Sequence, residues 1–304
     1  MSVDYECINR INSLKQGIES TTGKTYDNLT LAVQELKNKY NTNGGSSNNE
    51  LNALIERSVV EIYNDEIIII GNNTFNDCIS LTTADFPMCE TIRSSAFLGC
   101  TALTTLNFPV CTSIGVNAFS HCMKLTTADF PACETIGMGA FSNCTSLTTL
   151  SFPACETIGS YAFSNCTALT TADFPACETI GISAFSNCTA LTTANFPVCK
   201  TIGSYAFCNC SKLTSVICSA SYIYSRAFYS CSRLMSFTNY YPSVATLQNR
   251  SVFYSTPMSN STYKDVNGNT QGYGSIYVPA SLVASYKTAT NWASYAARIT
   301  SIPE

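Results

Sequence analysis

The sequence predicts an α/β repeat solenoid, a right-handed superhelix carrying one short parallel strand in each 22-residue unit. Three observations carry that expectation. Leucine recurs at a fixed step of 22 at Leu81, Leu103, Leu125, Leu147, Leu169, Leu191 and Leu213. Phenylalanine keeps the same step at Phe75, Phe97, Phe119, Phe141, Phe163, Phe185 and Phe207. A third column is isoleucine, at Ile92, Ile114, Ile136, Ile158, Ile180 and Ile202. Self-similarity at a fixed period of this length is the signature of stacked repeats. No unit this short buries its own apolar face, so neighbouring units share one continuous core.

One unit reads LTTADFPACETIGMGAFSNCTS, Leu125 to Ser146. Six complete units fill 81–212, a 21-residue unit starts at Leu213, and a degenerate unit precedes Leu81. Leu125, Ala128, Phe130 and Cys133 occupy successive apolar positions of the leucine-rich-repeat pattern, with Ile136 one place later than usual. Within the unit, Thr127–Pro131 reads as the strand. Ala128 and Phe130 then point inward while Thr127 and Asp129 point out. Pro131 has no N–H to give the next ladder bond and ends it. Gly137 lets the backbone bend, and Ala140-Phe141 is expected on a helical turn that puts the ring in the core. The column at the fourth position runs Ala84, Leu106, Ala128, Leu150, Ala172, Ala194. Its outward neighbour runs Asp85, Asn107, Asp129, Ser151, Asp173, Asn195. Charged and neutral residues alternate, which implies duplication of a double unit of 44 residues. The alternation also keeps carboxylates from stacking in adjacent strands ~4.8 Å apart.

Three regions follow. Residues 1–50 read as a helical hairpin plus a flexible linker. One apolar stripe is Ile8, Ile11, Leu14 and Ile18; the other is Leu29, Val33, Leu36 and Tyr40. Gly23 separates the two, Thr25 or Asp27 suits the cap of the second, and 41–49 (NTNGGSSNN) is the linker. The hairpin packs on itself or on the solenoid, or it drives self-association through residues 1–40 or attachment to a larger assembly. Residues 51–235 form the leucine-rich-repeat solenoid. Residues 236–304 form a C-terminal cap, with Pro279 opening a helix through Tyr286 and Trp292, Tyr295 and Ile299 covering the last repeat. An uncovered solenoid end is an apolar, unpaired edge.

Composition excludes several chemistries. Charged residues make up 12%, against roughly 25% in ordinary globular chains. A net charge of −4 without a basic cluster argues against nucleic acid as a partner. No apolar run approaches the ~20 residues of a membrane span, and the first residues, MSVDYECINRINSLKQ, show no signal-peptide core. His121, the single histidine, sits in a column otherwise filled by Asn143, Asn165, Asn187 and Asn209, so it reads as a surface substitution. No Ser-His-Asp set assembles around it. The cysteines fall every 11 residues from Cys78 to Cys199. They lack the paired spacing of zinc ligands, and ladder side chains point the same way, which disfavours disulfides. They read as buried free thiols acting as small hydrophobes. Asp85, Asp129 and Asp173 lie two units apart, hence ~9.6 Å, too far to share one calcium ion. No cofactor or metal is expected, and no catalytic residue.

The copies of AFSNCTSLTTLSFPACETIG (Ala140–Gly159) resemble the BspA-type leucine-rich repeats of bacterial surface proteins, over roughly 59–235. The stretch SIYVPASLVASYKTATNWASYAARI (Ser275–Ile299) looks like the cap that closes such arrays. Units of 23 residues are common in these proteins, which also usually carry a signal peptide; both are departures. TTGKTYDNLTLAVQELKNKY resembles short helical modules at the front of phage and prophage tail-associated proteins. The resemblance implies a non-enzymatic adhesion or binding module at the cell surface or outside the cell, recognising a protein or cell-surface ligand. A structural, receptor-recognising component of a phage or prophage tail is the alternative. The candidate partner-binding face is the outward strand surface: Thr83, Asp85, Thr105, Asn107, Thr127, Asp129, Thr149, Ser151, Thr171, Asp173, Thr193 and Asn195.

Overall fold

The computed structural model describes residues 61–65, 67–259, 263–264, 270–271 and 274–303. The expected helical hairpin and linker of 1–50 lie outside the described residues. From Glu61 onward the chain winds as a stack of turns joined by parallel strands in register, each residue beside its counterpart one unit on: Thr83 pairs Thr105, and Ile158 pairs Ile180.

Two strands form in each unit, not the one expected. The first is the expected strand, Thr127–Asp129 in the third complete unit, with Ala128 buried between exposed neighbours. The second is a two-residue strand, Thr135–Ile136, whose Ile points in and whose Thr points out. Its equivalents form a nine-stranded parallel ladder from Ile69–Ile70 to Thr246–Leu247. In the complete repeats the residue ahead also joins in, as where the Glu156 amide donates to the Glu134 carbonyl at 2.9 Å.

The first ladder is interrupted twice, between Thr105–Asn107 and Thr127–Asp129 and between Thr149–Ser151 and Thr171–Asp173. Both interruptions follow a strand whose inward residue is leucine. Leu106 and Leu150 are only half-buried, while Ala84, Ala128 and Ala172 are fully buried. The larger, half-buried leucines thus coincide with the two breaks in the ladder.

The third side of each turn corrects a second expectation. Ala140 and Phe141 lie in turns, not on a helix. Amides of Ala140, Ser142 and Cys144 donate locally to Gly137, Gly139 and Phe141, at 3.2, 3.0 and 3.2 Å. Those of Gly139, Phe141 and Asn143 donate instead to Ser160, Ala162 and Ser164 of the next turn, at 2.9, 2.7 and 2.8 Å. A helix keeps its hydrogen bonds to itself, whereas here every second amide serves the stack. That requires left-handed backbone at Gly139 (φ 64°) and Asn143 (φ 62°).

The side-chain core is two columns of phenylalanine. Phe141 stacks on Phe119 and Phe163, with centroids 5.2 and 5.4 Å away, and meets Phe152 of the second column edge-on at 5.9 Å. Both arrangements suit the ring quadrupole. Gly159 closes the packing at a corner, where an added Cβ would lie 2.6 Å from the Gly137 carbonyl carbon. Beyond the repeats, Ser275–Val278 and Ile299–Ser301 extend the first ladder. Between them come short 3-10 turns and the helix Val283–Thr288. Tyr286 and Trp292 are buried here; Trp292 Nε1 donates to the Ala245 carbonyl at 2.6 Å, and Tyr295 meets Phe253 edge-on at 5.4 Å.

Candidate binding face

All twelve residues of the candidate face point away from the core. Thr105, Asn107, Thr127, Asp129, Thr149, Thr171, Asp173 and Thr193 are exposed; Thr83, Asp85, Ser151 and Asn195 are half-exposed. The register aligns them in columns, Thr83 beside Thr105 and Thr171 beside Thr193. Asn107 Nδ2 donates to Asp85 Oδ1 at 2.7 Å, and Asn195 to Asp173 at 2.8 Å. At Asp85 and Asp173 the alternation with a neutral residue therefore replaces repulsion with a charge-assisted hydrogen bond. A second row of threonines flanks it. Thr104, Thr148, Thr192 and Thr214 donate their hydroxyls to carbonyls one turn back, at 2.9–3.1 Å. These bonds fix rotamers along the face.

The second ladder carries an outward surface that the sequence reading did not single out. Glu134, Glu156 and Glu178 stand exposed beside Thr135, Thr157 and Thr179. Lys200 Nζ sits 2.6 Å from Glu178 Oε1, an exposed pair of small energetic weight. The repeated C-E-T-I was the available signal, since its period matches that of the other strand.

The left-handed backbone explains the histidine column. His121 has φ 62°, as do Asn143, Asn165, Asn187 and Asn209. Asn, Asp and His tolerate this conformation best among residues with a side chain. The asparagines also form a ladder: Asn165 Nδ2 donates to Asn143 Oδ1 at 3.0 Å, Asn187 to Asn165 and Asn209 to Asn187 at 2.9 Å. His121 is exposed at the front of that ladder, 3.4 Å from Asn143 Nδ2.

All sixteen described cysteines are buried. In one column the thiol donates to a phenylalanine carbonyl of the preceding turn, as Cys144 does to Phe119 at 3.1 Å. In the other it donates two residues ahead, Cys155 to Thr157 at 3.4 Å. Burial pushes Cys89 up to about 11, and Cys133 and Cys155 up to about 12. A thiol so held is a packing group with a weak donor, not a nucleophile. Among the described residues no three His, Cys, Asp or Glu side chains are grouped as a metal site requires.

A stack of short parallel strands with a leucine, phenylalanine and isoleucine core defines a leucine-rich-repeat β-solenoid. The family described as BspA type leucine rich repeat region matches in six copies, over 68–177 and 156–271, and the chain belongs to that family. No curated protein matches it in sequence. Among solved structures it is similar to a leucine rich cell surface protein of Faecalibacterium prausnitzii, with 21% identity, 66% of this chain, 71% of that chain and TM-score 0.34. It is also similar to the leucine rich repeat protein of T. pallidum, with 25% identity, 58% of this chain, 72% of that chain and TM-score 0.39. An internalin of Listeria monocytogenes gives 13% identity, 70% of each chain and TM-score 0.36. Leucine-rich-repeat proteins typically mediate protein–protein or surface recognition. Among the described residues no helix is long and apolar enough to cross a membrane.

Proposed function

We propose that this chain is a non-enzymatic binding module that recognises a protein or cell-surface ligand through the outward face of its first ladder, at the cell surface or outside the cell. The observation that carries this reading is the ordering of that face. Asp85 and Asp173 are held by Asn107 and Asn195, and the adjoining threonines are tied turn to turn. Side chains already fixed cost less to order on binding, so affinity accumulates from many modest contacts. Solenoids use extended faces of this kind for recognition. The C-terminal helix with its buried Tyr286, and the buried Trp292 beyond it, serve as the end cap of the stack.

The test is a fourfold change, Thr105, Thr127, Thr149 and Thr171 each to Lys, probed on an array of extracellular proteins and whole cells. Binding seen with the parent chain should disappear while circular dichroism and melting stay the same. Retained binding with intact fold would remove the first ladder from recognition.

A further inference from the structure

The front turn of the solenoid departs from the turn that follows it. Its register with the second turn is fixed: Tyr63 pairs Asp85, and Ile69 pairs Thr91. At outward positions that carry polar residues in the second turn, the front turn places large apolar ones. Tyr63 stands in the Asp85 column, Ile68 in that of Glu90, Ile69 in that of Thr91 and Ile79 in that of Thr101. Their exposures are 42%, 53%, 47% and 45%. The neighbours Ile67 and Ile70 point inward and belong to the core, so the front turn needs only those two of its four consecutive isoleucines for packing. Because Ile68 and Ile69 lie on the second ladder and Tyr63 on the first, the apolar residues form a collar around the front, not one spot. Water against such side chains costs about 25 cal/mol per Å², and the second turn's polar residues show that the fold itself does not ask for them.

We propose that the collar seats the preceding part of this same chain, residues 1–60, through its apolar side chains. The chain runs from residue 60 directly into Glu61, the first strand of the collar. The sequence ahead of it holds two apolar stripes, Ile8, Ile11, Leu14, Ile18 and Leu29, Val33, Leu36, Tyr40. The residues between Tyr40 and Glu61 span up to roughly 70 Å when extended, so either stripe reaches any side of the front turn. A tethered partner also acts at an effective concentration on the order of millimolar, which favours it over a second copy. The solenoid thus carries a docking collar at its front that fixes the N-terminal segment to the array.

The experiment uses the full chain and the double variant Ile68→Glu, Ile69→Thr. These substitutions install the residues of the same columns in the next turn, Glu90 and Thr91, so the repeat keeps its packing. Hydrogen exchange read by mass spectrometry, at a low and a high protein concentration, follows peptides from 5–40 and from the repeats. The expected result is protection of 5–40 at both concentrations in the parent. Exchange there should be about tenfold faster or more in the variant, with repeat peptides unchanged. Three results overturn the proposal: no protection in the parent, protection equal in parent and variant, or protection that vanishes on dilution. The last would make a second copy the occupant.

Discussion

The ring of Phe163 lies 5.4 Å from that of Phe141, one turn back, with the planes only 5° apart. The same ring meets Phe152 edge-on at 6.1 Å, so it joins the two columns of the core. Each phenylalanine thereby ties its own turn to two neighbours, and solenoid stability is largely this nearest-neighbour coupling.

Phe163→Ala removes those contacts at the centre of the array and leaves a cavity that rigid flanking turns cannot close. It should cost ~3–5 kcal/mol. Thr149→Ala, on the exposed face, should stay within ~0.5 kcal/mol. Urea unfolding of the two variants checks the assignment of faces; equal costs would contradict it.

The asparagine ladder makes a prediction that separates backbone from side chain. Asn165→Val puts a β-branched residue at φ 62° and cuts amide bonds to both neighbours. The left-handed backbone alone costs roughly 1–2 kcal/mol, and each lost hydrogen bond roughly 0.5–1.5 kcal/mol. Asn165→Gly keeps the backbone comfortable and should recover the first part only. Thermal melting of the two variants should rank them parent, Gly, Val.

The buried thiols predict slow alkylation in native protein and rapid alkylation in denaturant. They also predict a pH dependence. Burial raises Cys89 from 9.0 to about 11, so the folded state holds its proton where the unfolded state releases it. The resulting stability is fully present below pH 9.0 and is lost as pH rises toward about 11. Denaturation midpoints from neutral to alkaline pH test the sign, and a rising midpoint would contradict it.

Much of the architecture was legible because a repeat multiplies weak signals. Leu125, Phe130, Ile136 and Phe141 each carry little alone, but seven or so aligned copies leave no choice about which side faces the core. What stayed hidden has a physical reason in each case. Thr135–Ile136 is too short to show alternation, and its strand exists only because Ser113–Ile114 and Thr157–Ile158 lie beside it. Ala140-Phe141 looks helical locally, but the amide of Phe141 is claimed by the next turn. The Asn143 column reads as surface decoration until the backbone is seen to need a left-handed residue there. The candidate face came directly from alternation along Thr127–Asp129. The hydrogen bonds that order it, Asn107 to Asp85 and Asn195 to Asp173, needed the register.

Two lysine ladders on different surfaces test the central claim most directly. One replaces Thr105, Thr127, Thr149 and Thr171 on the first ladder; the other replaces Thr135, Thr157, Thr179 and Thr201 on the second. Both add the same charge to the same array at the same spacing, so a general effect of charge or stability strikes them alike. Binding to the array of extracellular proteins and whole cells is measured for each beside the parent chain. The account predicts loss of binding for the first ladder and retention for the second. Loss confined to the second ladder, or equal loss in both, would contradict it.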